Sequence, residues 1–248
     1  MEGIHIVLKA ETLGIFFGIP VTNALITTVV VSLLVAGAAI LAGRRLRLIP
    51  GRIQMLWEMV VGDVYEYVAG VLESHDLAKR YFPLIASIFI VILFGNLLAF
   101  LPGFGSVGFY HAEGGKEVFV PLLRATATDL NFTLALAIVA FIMIEFAGVA
   151  VLGVLKYGSK FVNLKSPIGF AIGVIDLFSE IARLFSFSFR LFGNIFAGEV
   201  MLGLLAALIP IVLPVPLMAF EVAVGVIQAA IFALLTLFFI KIAVTEMH

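Results

Sequence analysis

The stretch Ile168–Leu208 reads IGFAIGVIDLFSEIARLFSFSFRLFGNIFAGEVMLGLLAAL. It is apolar along its whole length, yet it carries Asp176, Glu180, Arg183, Arg190 and Glu199. As one helix it would be about 60 Å long, at a rise of about 1.5 Å per residue. A bilayer's hydrocarbon core is roughly 30 Å thick, which about 20 helical residues cross. The stretch holds no proline, and a sharp kink needs a local cause. It therefore predicts one long helix, steeply tilted in a membrane.

The rest of the chain agrees. Of 248 residues, 63% are hydrophobic and 12% charged, and 24 are Phe. Soluble domains carry about 25% charged residues, so a soluble enzyme, a disordered tail and a nucleic-acid binder are all excluded. A net charge of −1 offers no basic face for nucleic acid. With no Cys, disulfides, thiolate metal sites and Cys nucleophiles are absent too. Met1–Pro20 does not read as a secretory signal: Lys9 is its sole Lys or Arg, and Glu2 and Glu11 oppose it.

Four further apolar stretches predict spans at about 21–42, 81–101, 130–155 and 217–244, giving five in all with 168–208. The expected fold is all-α: a polytopic membrane protein forming one domain over 1–248. The last two helices would form a long tilted hairpin about the linker 209–216, with its Pro210, Pro214 and Pro216. Between the first two spans, 53–73 sets Trp57, Val60, Val61, Val64, Val68 and Leu72 near one face. Glu58, Asp63, Glu66 and Glu73 fall largely on others. This is an amphipathic helix, lying on the membrane or packed on another subunit.

Orientation follows from basic residues in the flanks. Arg44, Arg45, Arg47, Arg52, Lys79, Arg80, Lys156, Lys160, Lys165 and Lys241 fall on one side; Lys9, Lys116 and Arg124 fall on the other. That bias puts the Arg44–Arg80 loop and the C-terminus in the cytoplasm and the N-terminus outside.

Charges within spans are costly, about 2.5–3.5 kcal/mol each, and are functional by default. At about 100° per residue, Glu180, Arg183, Arg190 and Asn194 lie within about 40° of Asp176, on one stripe. Glu199 points to the opposite side of the helix from Arg190, about 13.5 Å further along its axis. One helix thus carries two offset polar surfaces. Glu221 and Gln228, seven residues apart, share a face that could meet the Glu199 side. Glu180 and Arg183 can neutralise each other at i, i+3. Arg190 has no acid three or four residues away, and arginine stays charged; its counter-charge must come from elsewhere.

Some chemistry is missing. His5, His75, His111 and His248 all lie in termini or loops, so no span offers a haem ligand or a His–Glu zinc site. There is no HExxH and no phosphate-binding glycine loop, and no metal or other cofactor is expected. A self-contained transporter and an intramembrane protease stay open on the residues alone, though no internal repeat, Ser–His pair or paired-Asp site supports either.

The segment Ser188-Phe189-Arg190-Leu191-Phe192-Gly193-Asn194-Ile195-Phe196-Ala197-Gly198-Glu199 resembles the signature of subunit a of the F-type ATP synthase membrane sector, bacterial type. Asp129-Leu130-Asn131-Phe132-Thr133, Gln228-Ala229-Ala230-Ile231-Phe232 and, more weakly, Gly95-Asn96-Leu97-Leu98 with Leu101-Pro102 add to the likeness. The resemblance implies a proton-translocating stator subunit beside a ring of c subunits, with no catalytic site of its own. Its partners would be the c-ring, b subunits of the peripheral stalk, the other subunits of the synthase, protons and membrane lipid, in a bacterial plasma membrane. Arg190 would be the essential arginine. Glu199, Glu221, Gln228, Asn194, Asp129 and Asn131 would line the outer half-channel; Asp176, Glu180 and Ser186 would line the cytoplasmic one. Arg183, Asn96 and Glu145 would be auxiliary. In two places the sequence departs from the family. Glu221 stands where members often carry His, so Glu199 and Glu221 would be two carboxylates sharing a site, which cannot easily both be ionised. Ala99 stands where some relatives carry Asp, and is assigned nothing.

Overall fold

A computed structural model describes residues 10–44, 46–101, 104, 107–113, 116–161, 167–210 and 212–245, with side chains for all of these except 19, 111–113 and 116–118. Lys9, Arg45, Lys165, His5, His248 and Pro102, all used above, lie outside the described residues, as do the side chains of Lys116 and His111.

Five helices are long and apolar enough to cross a membrane: α1 (Asn23–Arg44), α3 (His75–Leu97), α4 (Leu130–Leu152), α6 (Pro167–Leu208) and α7 (Pro214–Val244). Two others complete the set among the described residues, α2 (Arg52–Leu72) and the short α5 (Val154–Gly158). The chain is an all-α polytopic membrane protein. Its outward surface suits lipid: Leu33, Leu34, Ile142, Phe178 and Ile242 are exposed, as hydrocarbon permits and water does not. Buried hydroxyls bond inside their own helices, Thr27 to the Asn23 carbonyl at 3.0 Å and Thr236 to that of Phe232 at 2.9 Å.

Local chemistry sets the helix ends. Helix α3 begins before the apolar run, at His75, because Ser74 caps it: its hydroxyl accepts from the Leu77 amide at 3.3 Å, and Asp76 sits in the first turn. Helix α4 stops at Gly153, whose φ of +82° suits a residue without Cβ. Helix α6 runs unbroken for 42 residues from Pro167. Proline is tolerated there, at a first helical position whose amide has no partner in the helix. For the same reason α7 starts at Pro214, inside the stretch expected to be linker.

Two small antiparallel hairpins add to the helical fold: β1 (Thr12–Phe16) with β2 (Ile19–Thr22), and β3 (Gly108–Glu113) with β4 (Lys116–Pro121). The first turns at Phe17 and Gly18, both with positive φ, the backbone twist a two-residue hairpin needs. In the second, Gly108 lies against the Val120 carbonyl and the Phe119 ring, where a Cβ would not fit.

The chain divides into two compact units, each gathered from separated stretches. The first comprises 1–45, 89–133 and 189–230. It holds both hairpins, α1, the end of α3, the second part of α6 and the first part of α7. The second comprises 46–88, 134–188 and 231–248. Here α4 turns Ala137, Ala140, Ile144 and Ala147 inward at helical spacing, small residues that allow close approach. Phe187 of α6 stacks near Phe232 and Phe239 of α7, with ring centroids 5.0 and 5.6 Å away. The C-terminal end of α2 is anchored by buried Val68, Ala69 and Leu72, while Ile53, Leu56, Trp57, Val60 and Val64 are exposed. Glu73, just past that end, pairs with Lys241 of α7 at 3.1 Å.

Candidate functional site

In the first unit, α6 buries Leu191, Ile195 and Gly198 on one stripe, at i, i+4 and i+7. On another stripe the half-buried Arg190 is followed by exposed Asn194, Ala197 and Met201, at i+4, i+7 and i+11. The arginine therefore stands on a face that its own chain leaves largely uncovered. Glu199 lies on the other side, as the helical period requires, and its carboxylate is 3.7 Å from the Arg124 guanidinium.

Helix α7 buries Glu221, Gly225, Gln228 and Ala229 along a single stripe. The Glu221 carboxylate rests on Gly198 of α6, in the space a Cβ would occupy. A glycine at that position is what lets a carboxylate lie against a helix backbone. Asn96, at the end of α3, is buried and donates to the Gly225 carbonyl at 3.2 Å. Gly225 and Gly95 leave room for this packing, the first against the Asn96 side chain and the second against the Thr126 hydroxyl. Glu199 has a guanidinium beside it, and Glu221 has the Gly198 backbone.

Asp129 and Asn131 also fall in this unit, where their motif has a local use. The Asp129 carboxylate accepts from the Asn131 amide at 2.9 Å and from its side-chain nitrogen at 3.0 Å, capping α4. Arg124, counted from sequence as a flanking charge, is 9% exposed. Its backbone amide donates to the Thr27 hydroxyl of α1 at 3.0 Å, and its Nε donates to the Thr128 hydroxyl at 3.1 Å.

The second unit holds the other charges of α6. Glu180 is buried; it accepts from Lys160 at 3.0 Å through one oxygen and from Arg183 through the other. Arg183 in turn lies over the Phe239 ring, 3.9 Å from its centroid. Glu180 is thus held in an ion-pair clamp. Asp176 is half-buried and Ser186 exposed. Gly173 lies against the Phe161 carbonyl, which fixes the approach of the segment bearing Lys160.

Glu145 of α4 accepts from the Tyr157 hydroxyl at 3.0 Å. The contact exists because the chain reverses at Gly153 and lays the Tyr157 ring on Gly148, where a Cβ would clash. Burial pushes the Tyr157 phenol well above its usual range, and the adjacent Glu145 pushes it the same way. Sequence reasoning gave Arg124, Lys160, Tyr157 and Gly198 no place in the site, because their partners lie on other elements.

Comparison with known proteins gives a consistent result. The family model described as ATP synthase A chain matches residues 24–241. The chain is similar to ATP synthase subunit a 1 of Syntrophotalea carbinolica, 34% identical over 221 residues, covering 88% of this chain and 84% of that protein. It is also similar to ATP synthase subunit a of Moorella thermoacetica, 33% identical over 224 residues and covering 90% of each. A third relative, ATP synthase subunit a of Campylobacter fetus, is 30% identical over 228 residues, covering 91% of this chain and 92% of that protein.

Proposed function

Because the chain belongs to the ATP synthase A chain family, we propose that it is the stator subunit that carries protons past a rotating ring of c subunits and couples their flow to ATP synthesis. The observation that carries this reading is the stripe of α6 on which half-buried Arg190 is followed by exposed Asn194, Ala197 and Met201. A charge within a membrane span is functional by default. A neighbouring subunit seated on this stripe would bring its carboxylate beside that charge.

The mechanism follows from charge. A ring carboxylate crosses lipid only when neutral. Opposite Arg190, a fixed positive charge favours its ionised form, so the proton leaves toward one aqueous half-channel and the site reloads from the other. The same arginine blocks a direct proton path between them. Each elementary charge moved through 100 mV supplies about 2.3 kcal/mol, delivered as directional rotation.

Glu199, Glu221, Gln228 and Asn194 serve the outer half-channel, with Asp129 and Asn131 capping the helix beside it. Asp176 and Ser186 serve the cytoplasmic half-channel, where Glu180 acts through its clamp with Lys160 and Arg183. Arg183, Asn96 and Glu145 support these surfaces. The subunit sits in a bacterial plasma membrane with its N-terminus outside and its C-terminus in the cytoplasm, held by b subunits of a peripheral stalk.

Mild-detergent purification tests the proposal. A small, very hydrophobic, ring-forming subunit should co-purify, and the isolated chain should be inert in liposomes. Gradient-dependent solute flux by the chain alone would overturn the proposal in favour of a self-contained transporter.

A further inference from the structure

We infer that Arg124 is a positioning residue of the outer proton pathway, which holds the Glu199 carboxylate in place between proton transfers. The inference rests on the proposed role of Glu199 in that pathway.

Arg124 lies between β4 and α4, 9% exposed, while the Glu199 side chain is 47% exposed. One partner is thus fixed inside the protein and the other is open. The fixing is specific. The backbone amide of Arg124 is tied to Thr27 of α1, and its Nε to Thr128. Thr128 is itself oriented, because its hydroxyl donates to the Ala125 carbonyl at 2.8 Å. One Nη of the guanidinium faces Glu199, 3.7 Å from its carboxylate. That separation is beyond a normal hydrogen bond but within ion-pair range. It suits an acid that must be held without being locked, since a tight bidentate pair would resist each transfer.

Among the described groups of the same unit, Glu11 accepts from Asn23 at 3.2 Å, Asp129 caps α4, and Glu221 rests on Gly198. Arg190 stands on the opposite side of α6 from Glu199. Glu145 and Glu180 belong to the other unit.

The test measures ATP-driven proton flux in membranes containing the assembled complex. Arg124→Gln should lower flux about two- to fivefold, the range expected for a partly exposed ion pair, and Arg124→Lys should restore most of it. Glu199→Asp shortens the acid out of reach of Arg124 but keeps it titratable. In that background Arg124→Gln should add little, because residues acting through one another are not additive. An equal loss in both backgrounds would mean Arg124 serves the fold alone, and would overturn the inference. Should Arg124 variants fail to accumulate, Thr128→Val decides: a loss of about twofold with Glu199 that vanishes in the Glu199→Asp background supports the inference, and any other result overturns it. The two readings separate cleanly. If Glu199→Gln leaves flux unchanged, the proposed pathway fails. If Glu199→Gln lowers flux while Arg124→Gln does not, only the role of Arg124 fails.

Discussion

Gly198 and Glu180 show how single residues divide the work. A Cβ at position 198 would meet the Glu221 carboxylate, the mobile end of a flexible side chain. Gly198→Ala should therefore displace the acid and leave the helices packed. Proton flux should fall while thermal stability changes by less than about 1 kcal/mol. Glu180 is the opposite case, buried between two cations. Glu180→Ala leaves both uncompensated and should cost about 3 kcal/mol in thermal unfolding of the purified complex. Tyr157 supplies a pH test. Its phenol is held above the usual range in the fold, so folding favours the neutral form. That stabilisation is complete below the unfolded value of about 10 and is lost as pH rises toward the folded value. Unfolding followed from pH 8 upward should show the wild type losing stability relative to Tyr157→Phe above pH of about 10; parallel curves would contradict this.

At the scale of elements, legibility tracked distance along the chain. The five spans were readable because lipid demands long apolar runs, and the opposed surfaces of α6 were readable because helical period fixes them. Helix ends were less so: Ser74 and Pro214 extend α3 and α7 beyond their apolar cores through capping and first-turn chemistry. The β3–β4 hairpin left a trace in the β-prone run Val118-Phe119-Val120 after Gly114-Gly115, which the surrounding apolar runs overshadowed. Partners such as Thr27 and Arg124, 97 positions apart, could not be read at all, because only the fold brings them together. The element ends predict a contrast. Asp129→Ala removes the cap of α4 and should cost about 1 kcal/mol. Gly153→Ala places a side chain at φ +82° and should cost at least about 1 kcal/mol, loosening Tyr157 from Glu145. Thermal unfolding of each variant checks both.

For the whole molecule, the natural absence of cysteine makes the topology directly testable. Phe17 and Leu48 are both highly exposed. A single cysteine at position 17 should react with an impermeant thiol reagent applied to the outside of intact cells, and one at position 48 only in inverted vesicles. The reverse pattern would invert the orientation assigned from the basic flanks. The central claim concerns Arg190, and the measurement that bears on it most directly is ATP-driven proton pumping by inverted vesicles carrying Arg190→Ala in the fully assembled complex. Pumping should fall to background while the subunit remains at wild-type abundance; pumping retained at that abundance would contradict the claim that this arginine couples proton flow to rotation.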